Sequence, residues 1–247
     1  MSGEEPKVLI TDASDLIGGL TWRNLGYKYE FSGLNRRAVP ETPNTQVDIS
    51  DFDAILPAFK GMDTVFLMAN YTSDADSWDK PLKNGIIGTR NVYEAASLHD
   101  VKHVVQGSTG DTTIGYEMDY PYGELAAGEY GRVTEPWRLL MHTDPTRPNS
   151  VYGACKIFSE ALGHWYSDRY DMSVLRIRLG AALAGNRPTL RRQYSGCLDQ
   201  QDCVDMIDRC LGAPASLMFD TFNAMPDNKY RWRDIDQAKE ALRWEPR

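Results

Sequence analysis

Four cysteines and four histidines are the whole stock of thiol and imidazole ligands in this chain of 247 residues. Cys155, Cys197, Cys203 and Cys210 stand at spacings that match no zinc pattern, and His99, His103, His142 and His164 are scattered. No metal is therefore expected, and the thiols read as free, buried or half-buried, in a reducing compartment. No run of about 18 apolar residues occurs, which leaves no candidate for a membrane-spanning helix. Basic side chains number 27 against 35 acidic ones, a formal charge of −8, and no basic block is present. That argues against nucleic acid as a partner. The acidic opening MSGEEPK leads straight into an apolar run and lacks the pattern of a signal peptide, so a cytoplasmic setting is expected.

What is present has the balance of an ordinary globular domain, with 42% hydrophobic and 25% charged residues. Short apolar runs alternate with amphipathic segments. KVLIT (7–11), YKYEFSG (27–33), TQVDI (45–49), DTVFLMA (63–69) and HVVQGST (103–109) read as strands, several of them apolar throughout, as strands covered on both faces are. Residues 81–100 and 150–168 read as helices. After them come a strand at 173–180, a helix at 199–211, a strand near LMFDTF and a last helix containing IDQAKEALRW. This alternation predicts an α/β fold: a Rossmann-like, doubly wound parallel sheet in one domain over 1–247. An aromatic-rich segment at about 116–147 reads as an ordered, lid-like insert. Residues 181–247 leave room only for a small C-terminal substrate lobe.

Two features carry chemistry. Tyr152 and Lys156 lie four apart on a helix and share a face, the arrangement of a proton-transfer pair in which the ammonium lowers the phenol pKa. The fifth strand ends in Ser108 and Thr109, at the edge of the sheet where open α/β folds bind ligands, so a hydroxyl there can hold a substrate oxygen. Hydroxyl, tyrosine and lysine together suit oxidation of an alcohol or reduction of a carbonyl beside a nicotinamide.

On ITDASDLIGG, VDISD, LKNGIIGTRNVYEAA, the GST strand end, VYGACK and RIRLG, the sequence resembles the extended short-chain dehydrogenases/reductases, the NAD-dependent epimerase/dehydratase family. Through RPNSVYGACKIFSEALGHWYSDRYDMSVLRIRLG it is most similar to the branch of uronate dehydrogenases and archaeal NAD-dependent sugar dehydrogenases. The resemblance implies oxidation of a small sugar, sugar acid or sugar phosphate at its anomeric carbon. Tyr152 would be the base, Lys156 its electrostatic partner and ribose anchor, and Thr109 the orienting hydroxyl. Ser73, Ser108 and Arg192 would join Thr109 as substrate contacts. Cofactor contacts are implied at Thr11, Asp12, Asp15, Leu16, Ile17, Gly18, Asn35, Arg36, Asp48, Ile49, Met68, Ala69, Asn84 and Lys156. A homodimer paired through the helices at 81–100 and 150–168 is also implied.

The sequence departs from that pattern where the cofactor would bind. Of the three glycines in T-G-x-x-G-x-x-G only Gly18 is kept, and Asp12 and Asp15 replace the others. A carboxylate about 5 Å from a phosphate costs roughly 3 kcal/mol at an effective dielectric near 20, on the order of a hundredfold in affinity. The cost falls if Asp15 swings outward and caps the first helix. Asn70, Gly85 and the pair Gly110-Asp111 also depart from the family. The acid expected after the second strand is replaced by Asn35, followed by Arg36 and Arg37, which tilts the choice between NAD and NADP toward NADP. Two other readings stay open: a nucleotide-sugar epimerase or dehydratase, and a pseudoenzyme with weakened cofactor binding that serves as a sensor or scaffold.

Overall fold

The computed structural model describes residues 5–39, 42–68 and 78–247. Seven parallel strands form one sheet in the order β3-β2-β1-β4-β5-β6-β7. They are β1 (Lys7–Thr11), β2 (Glu30–Asn35), β3 (Asn44–Gln46), β4 (Thr64–Leu67), β5 (His103–Thr109), β6 (Ser173–Leu179) and β7 (Phe219–Ala224). The inner strands are apolar because both faces are covered. On one face lie α1 (Leu16–Leu25), α6 (Gln200–Leu211) and α7 (Asp236–Leu242), which pack Leu20, Ile207 and Leu242 against Ile10 and Ile177. On the other lie α2 (Phe52–Ile55), α3 (Thr89–Leu98) and α5 (Val151–Tyr170), packing Ile55, Val92, Tyr93 and Tyr166 against Leu9, Val65 and Val104. The strand order reverses direction between β1 and β4, and the carboxyl edge there is where such sheets hold ligands.

Some boundaries differ from the sequence reading. The second strand starts at Glu30 rather than residue 27, because Tyr29 is a tether whose hydroxyl donates to Asp208 Oδ1 at 2.8 Å on α6. The expected helix at 81–100 opens as a π-helical stretch, Pro81–Gly88, before α3 begins. A Cβ on Gly88 would sit 2.6 Å from Ile49, so glycine is what lets this stretch pass close to the chain beyond β3.

The segment at 116–147 is more regular than a loop. It contains α4 (Tyr122–Ala127) and short 3₁₀ turns at Ile114–Met118 and Tyr130–Arg132. Tyr122, Leu125, Leu140 and Trp232 form a third apolar cluster, and Tyr130 stacks on Tyr230 with ring centres 3.6 Å apart. Leu140 N–H donates to Trp232 O at 2.8 Å, which ties the segment to the stretch after β7. Residues 181–247 are not a body apart. β7 extends the sheet and α6 packs beside α1, so only the stretches that follow β6 and β7 are left to frame a site.

Candidate active site

Helix α5 begins at Ser150, whose hydroxyl accepts the Gly153 N–H at 3.0 Å and so satisfies one of the free donors of the first turn. From that start Tyr152, Lys156 and Glu160 follow at four-residue steps and face the ends of β5 and β6. Lys156 is buried and donates Nζ to Gly107 O at 2.6 Å, with Nζ 5.9 Å from the centre of the Tyr152 ring. Ser108 Oγ donates to Glu160 Oε1 at 2.6 Å. Glu160 also takes Arg178 Nε at 2.9 Å and Nη2 at 2.8 Å, and Arg178 Nη1 reaches His142 O at 3.1 Å. This buried network locks the helix that carries the tyrosine and lysine to β5, to β6 and to the 116–147 segment. Ser108, expected from sequence to touch substrate, has its hydroxyl proton committed to Glu160.

Thr109 closes β5 in extended backbone, and its Oγ1 accepts the Asp111 N–H at 3.2 Å. That leaves the hydroxyl proton of Thr109 to point elsewhere, and the Tyr152 phenol lies before it. The phenol does not have the lowered pKa expected from sequence. Burial first, then the Asp111 carboxylate, push it up to about 12, with the Thr109 hydroxyl pulling the other way. Lys156 is pushed down to about 8 by burial, against the pull of Asp12 and Glu160. The reason for the reversal is distance and environment: the ammonium is turned to the Gly107 carbonyl, and the phenol is buried.

Two cavities meet over Thr109. One, of about 410 Å³, runs from Asp12, Asp15 and Leu16 through Ile17 and Gly18 past Met68 to Tyr152 and Lys156. The other, of about 220 Å³, is bounded by Thr109, Asp111, Glu117, Arg192 and Arg233. A small third hollow of about 20 Å³ lies beside Asp12, Asn35, Arg36, Ile49 and Asn84.

The donors and acceptors along the first and third of these fit a dinucleotide. Asn35 Nδ2 and Asn84 Oδ1 are buried without hydrogen-bond partners among the described residues, one donor and one acceptor at the end where an adenosine would lie. Gly18 allows the start of α1 to close on the turn, since a Cβ there would meet Asp12 O at 2.6 Å and Ala13 Cα at 2.7 Å. The two aspartates behave differently from each other. Asp12 takes φ +65°, the left-handed conformation that a glycine would supply, and burial with the nearby Asp15 pushes its pKa up to about 6. Asp15 stands at the N-cap but its side chain makes no capping bond, contrary to expectation. It pairs instead with Arg37 Nη2, 2.8 Å from Oδ1. The amides of Leu16, Ile17 and Gly18 at the start of α1 therefore keep the donors that an anion at a helix N-terminus would use.

The remaining expected contacts sort clearly. Thr11 is buried, and its Oγ1 accepts the Met68 N–H at 2.9 Å, joining β1 to β4 beneath the groove. Asp48 meets Lys83 at 3.1 Å and accepts the Ser50 N–H at 2.9 Å. These hold its pKa below the usual carboxylate range although burial opposes them. Arg192 borders the 220 Å³ cavity and pairs with Glu117 at 3.3 Å. Ala69, Asn70 and Ser73 lie outside the described residues. Sequence reasoning missed Glu117, Arg233 and Glu160 and counted Asp111 only as a departure. Glu160 carried a signal, four residues past Lys156 on one helix face; Glu117 and Arg233 carried none, because the fold alone brings them beside Thr109. Among the described residues no group of three His, Cys, Asp or Glu side chains is placed to hold a metal, and no helix is long and apolar enough to cross a membrane.

Comparison with known proteins agrees with this architecture. The chain is 29% identical to the L-arabinose 1-dehydrogenase (NAD(P)(+)) of Haloferax volcanii, over 98% of this chain and 96% of that protein. It is 26% identical to the NAD-dependent glucose-6-phosphate dehydrogenase of the same organism, over 97% and 92%. The crystal structure of uronate dehydrogenase from Agrobacterium tumefaciens superimposes with a TM-score of 0.83 at 24% identity, covering 98% of this chain and 85% of that one, a likeness of fold. Residues 8–196, which hold β1 to β6 with Thr109, Tyr152 and Lys156 among them, match the model of the NAD dependent epimerase/dehydratase family, and the chain belongs to that family.

Proposed function

We propose that this chain is an NAD(P)-dependent dehydrogenase that oxidises a small sugar, sugar acid or sugar phosphate at its anomeric carbon, giving the lactone. The observation that carries the reading is the meeting of Thr109, Tyr152 and Lys156 where a groove lined by the start of α1 joins a cavity of about 220 Å³. That volume suits one sugar ring, which speaks against a nucleotide-sugar substrate. When bound, an oxidised nicotinamide supplies the hydride acceptor. The chain's own part is to hold and move a proton. Thr109 would donate to the anomeric oxygen, Tyr152 as phenolate would take the proton of the anomeric hydroxyl, and Lys156, whose Nζ lies 5.9 Å from the Tyr152 ring centre, would favour the phenolate and hold the ribose. The buried network of Ser108, Glu160 and Arg178 keeps these groups in register.

NADP as the preferred form is supported by Asn35, Arg36 and Arg37 at the end of β2, where a carboxylate would otherwise meet the ribose diol. A homodimer is supported by Leu82, Ile87, Leu98, Trp165 and Tyr170, all exposed on the stretch 81–98 and on α5. A reducing, cytoplasmic setting is supported by four free cysteines, three of them buried. The scaffold reading rests on Asp12 and Asp15 in the pyrophosphate turn. One experiment separates it from catalysis: formation of reduced nicotinamide from NAD or NADP with a panel of aldoses and uronic acids, in the protein and in Tyr152→Phe. Turnover that Tyr152→Phe abolishes supports the dehydrogenase; no turnover and no cofactor binding at millimolar concentration leaves the scaffold.

A further inference from the structure

The cavity beside Thr109 contains charges that cancel. Arg192, the cation expected to fork onto an anionic substrate, is already paired: its Nη2 lies 3.3 Å from Glu117, and Glu117 is the less exposed of the two. Arg233 is spent on structure. It donates Nε to Thr113 Oγ1 at 2.9 Å and Nη2 to Gly110 O at 2.8 Å, and its guanidinium stacks 3.7 Å over Trp232. Asp111 adds a second carboxylate next to the Tyr152 phenol, where the reacting carbon would sit. An anion entering here finds Arg192 Nη2 already engaged by Glu117, Arg233 bonded to Thr113 and Gly110, and two negative neighbours. A polyol fits better, since a carboxylate has acceptor capacity left for neighbouring hydroxyls and repels no neutral group.

We propose that Glu117, by holding Arg192, together with Asp111 makes this pocket selective for a neutral aldose over the matching uronate. This rests on the dehydrogenase reading above and adds to it the charge of the substrate. Glu117 acts as a specificity residue: it removes from Arg192 the bidentate geometry that a carboxylate requires, and it offers its own oxygens to sugar hydroxyls. Burial brings Arg233 down to about 10, which keeps it charged near neutrality.

The test uses pairs that differ only in charge at the far carbon, D-galactose with D-galacturonate and D-glucose with D-glucuronate. For each, kcat/KM is measured with the full chain and with Glu117→Gln, and sugar binding is followed by calorimetry in parallel. The expected result is a preference of tenfold or more for the neutral sugar of the better pair. In Glu117→Gln that ratio falls at least fivefold, through a lower KM for the uronate rather than a change in kcat. A preference for the uronate, or a ratio that Glu117→Gln leaves unmoved, overturns the proposal. If no sugar is turned over, the dehydrogenase reading fails by itself and calorimetry decides the pocket. Tighter binding of the neutral member sustains the proposal, and equal or absent binding of both overturns it.

Discussion

Arg37 Nη2 lies 2.8 Å from Asp15 Oδ1, a bond that joins the chain just after β2 to the residue that starts α1. Both side chains are more than half exposed, so the pair is weak, on the order of 1 kcal/mol or less, and incoming phosphate can displace it. Its effect is to turn a carboxylate away from the amides of the first helical turn. Asp15→Gly is expected to tighten NADH and NADPH about threefold to tenfold, less than bare Coulomb repulsion gives, because the carboxylate is already partnered and screened. Arg37→Ala weakens both, and NADPH more than NADH. Fluorescence titration of each cofactor reads this; identical affinities in all three proteins would show that the turn lies outside the cofactor's reach.

Asp111 is the charge that most opposes ionisation of Tyr152. Tyrosinate is negative, so a negative neighbour raises the phenol pKa, and a neutral amide in its place lowers it. Asp111→Asn should move the rising limb of the kcat/KM profile for sugar oxidation, where the phenol becomes phenolate, to lower pH by about half a pH unit to one, allowing for screening. A profile that stays in place, or moves upward, would remove Asp111 from the surroundings of the phenol.

The Glu160–Arg178 pair is buried, with both side chains about 5% exposed. Burial raises the Glu160 pKa, but the two Arg178 bonds and the Ser108 hydroxyl outweigh it and hold the carboxyl below its ordinary value of 4.5. Its contribution to stability is therefore present above that value and lost as pH falls through the lower folded pKa. Arg178→Met leaves the carboxylate only the Ser108 hydroxyl and Arg176, 3.9 Å away, and urea denaturation at neutral pH should show a loss of about 3 kcal/mol. The double variant Arg178→Met, Glu160→Gln should recover part of that loss. If the single variant costs under about 1 kcal/mol, the network is not what holds α5 in place.

Trp165, half exposed on α5, stacks edge-on against Tyr166 and Tyr170. If α5 pairs with its copy in a homodimer, Trp165→Glu places a charge in that seam. Sedimentation at micromolar concentration should then show a dimer for the unaltered protein and a monomer for the variant. A monomer in both would leave these apolar side chains without an interface role.

Much of the fold was legible in the sequence because it depends on local order. Apolar runs of strand length, helical spacing between them, and Tyr152 four residues before Lys156 on one helix are properties of neighbouring residues, and the sheet follows from their alternation. The match to the sequence is closest at β1 and β5 and poorer at β2, where a tyrosine serves a distant aspartate.

What only tertiary structure decided are the partners of charges. Asp15 meets a guanidinium 22 positions away rather than capping its own helix, and Arg192 meets a carboxylate 75 positions away rather than standing free. Tyr152 has its pKa raised, because burial and Asp111 act on it more strongly than the lysine one turn along. Coulomb energy and desolvation depend on distance and depth in space, and those are set only when the strands are paired and the 116–147 segment is packed against Trp232.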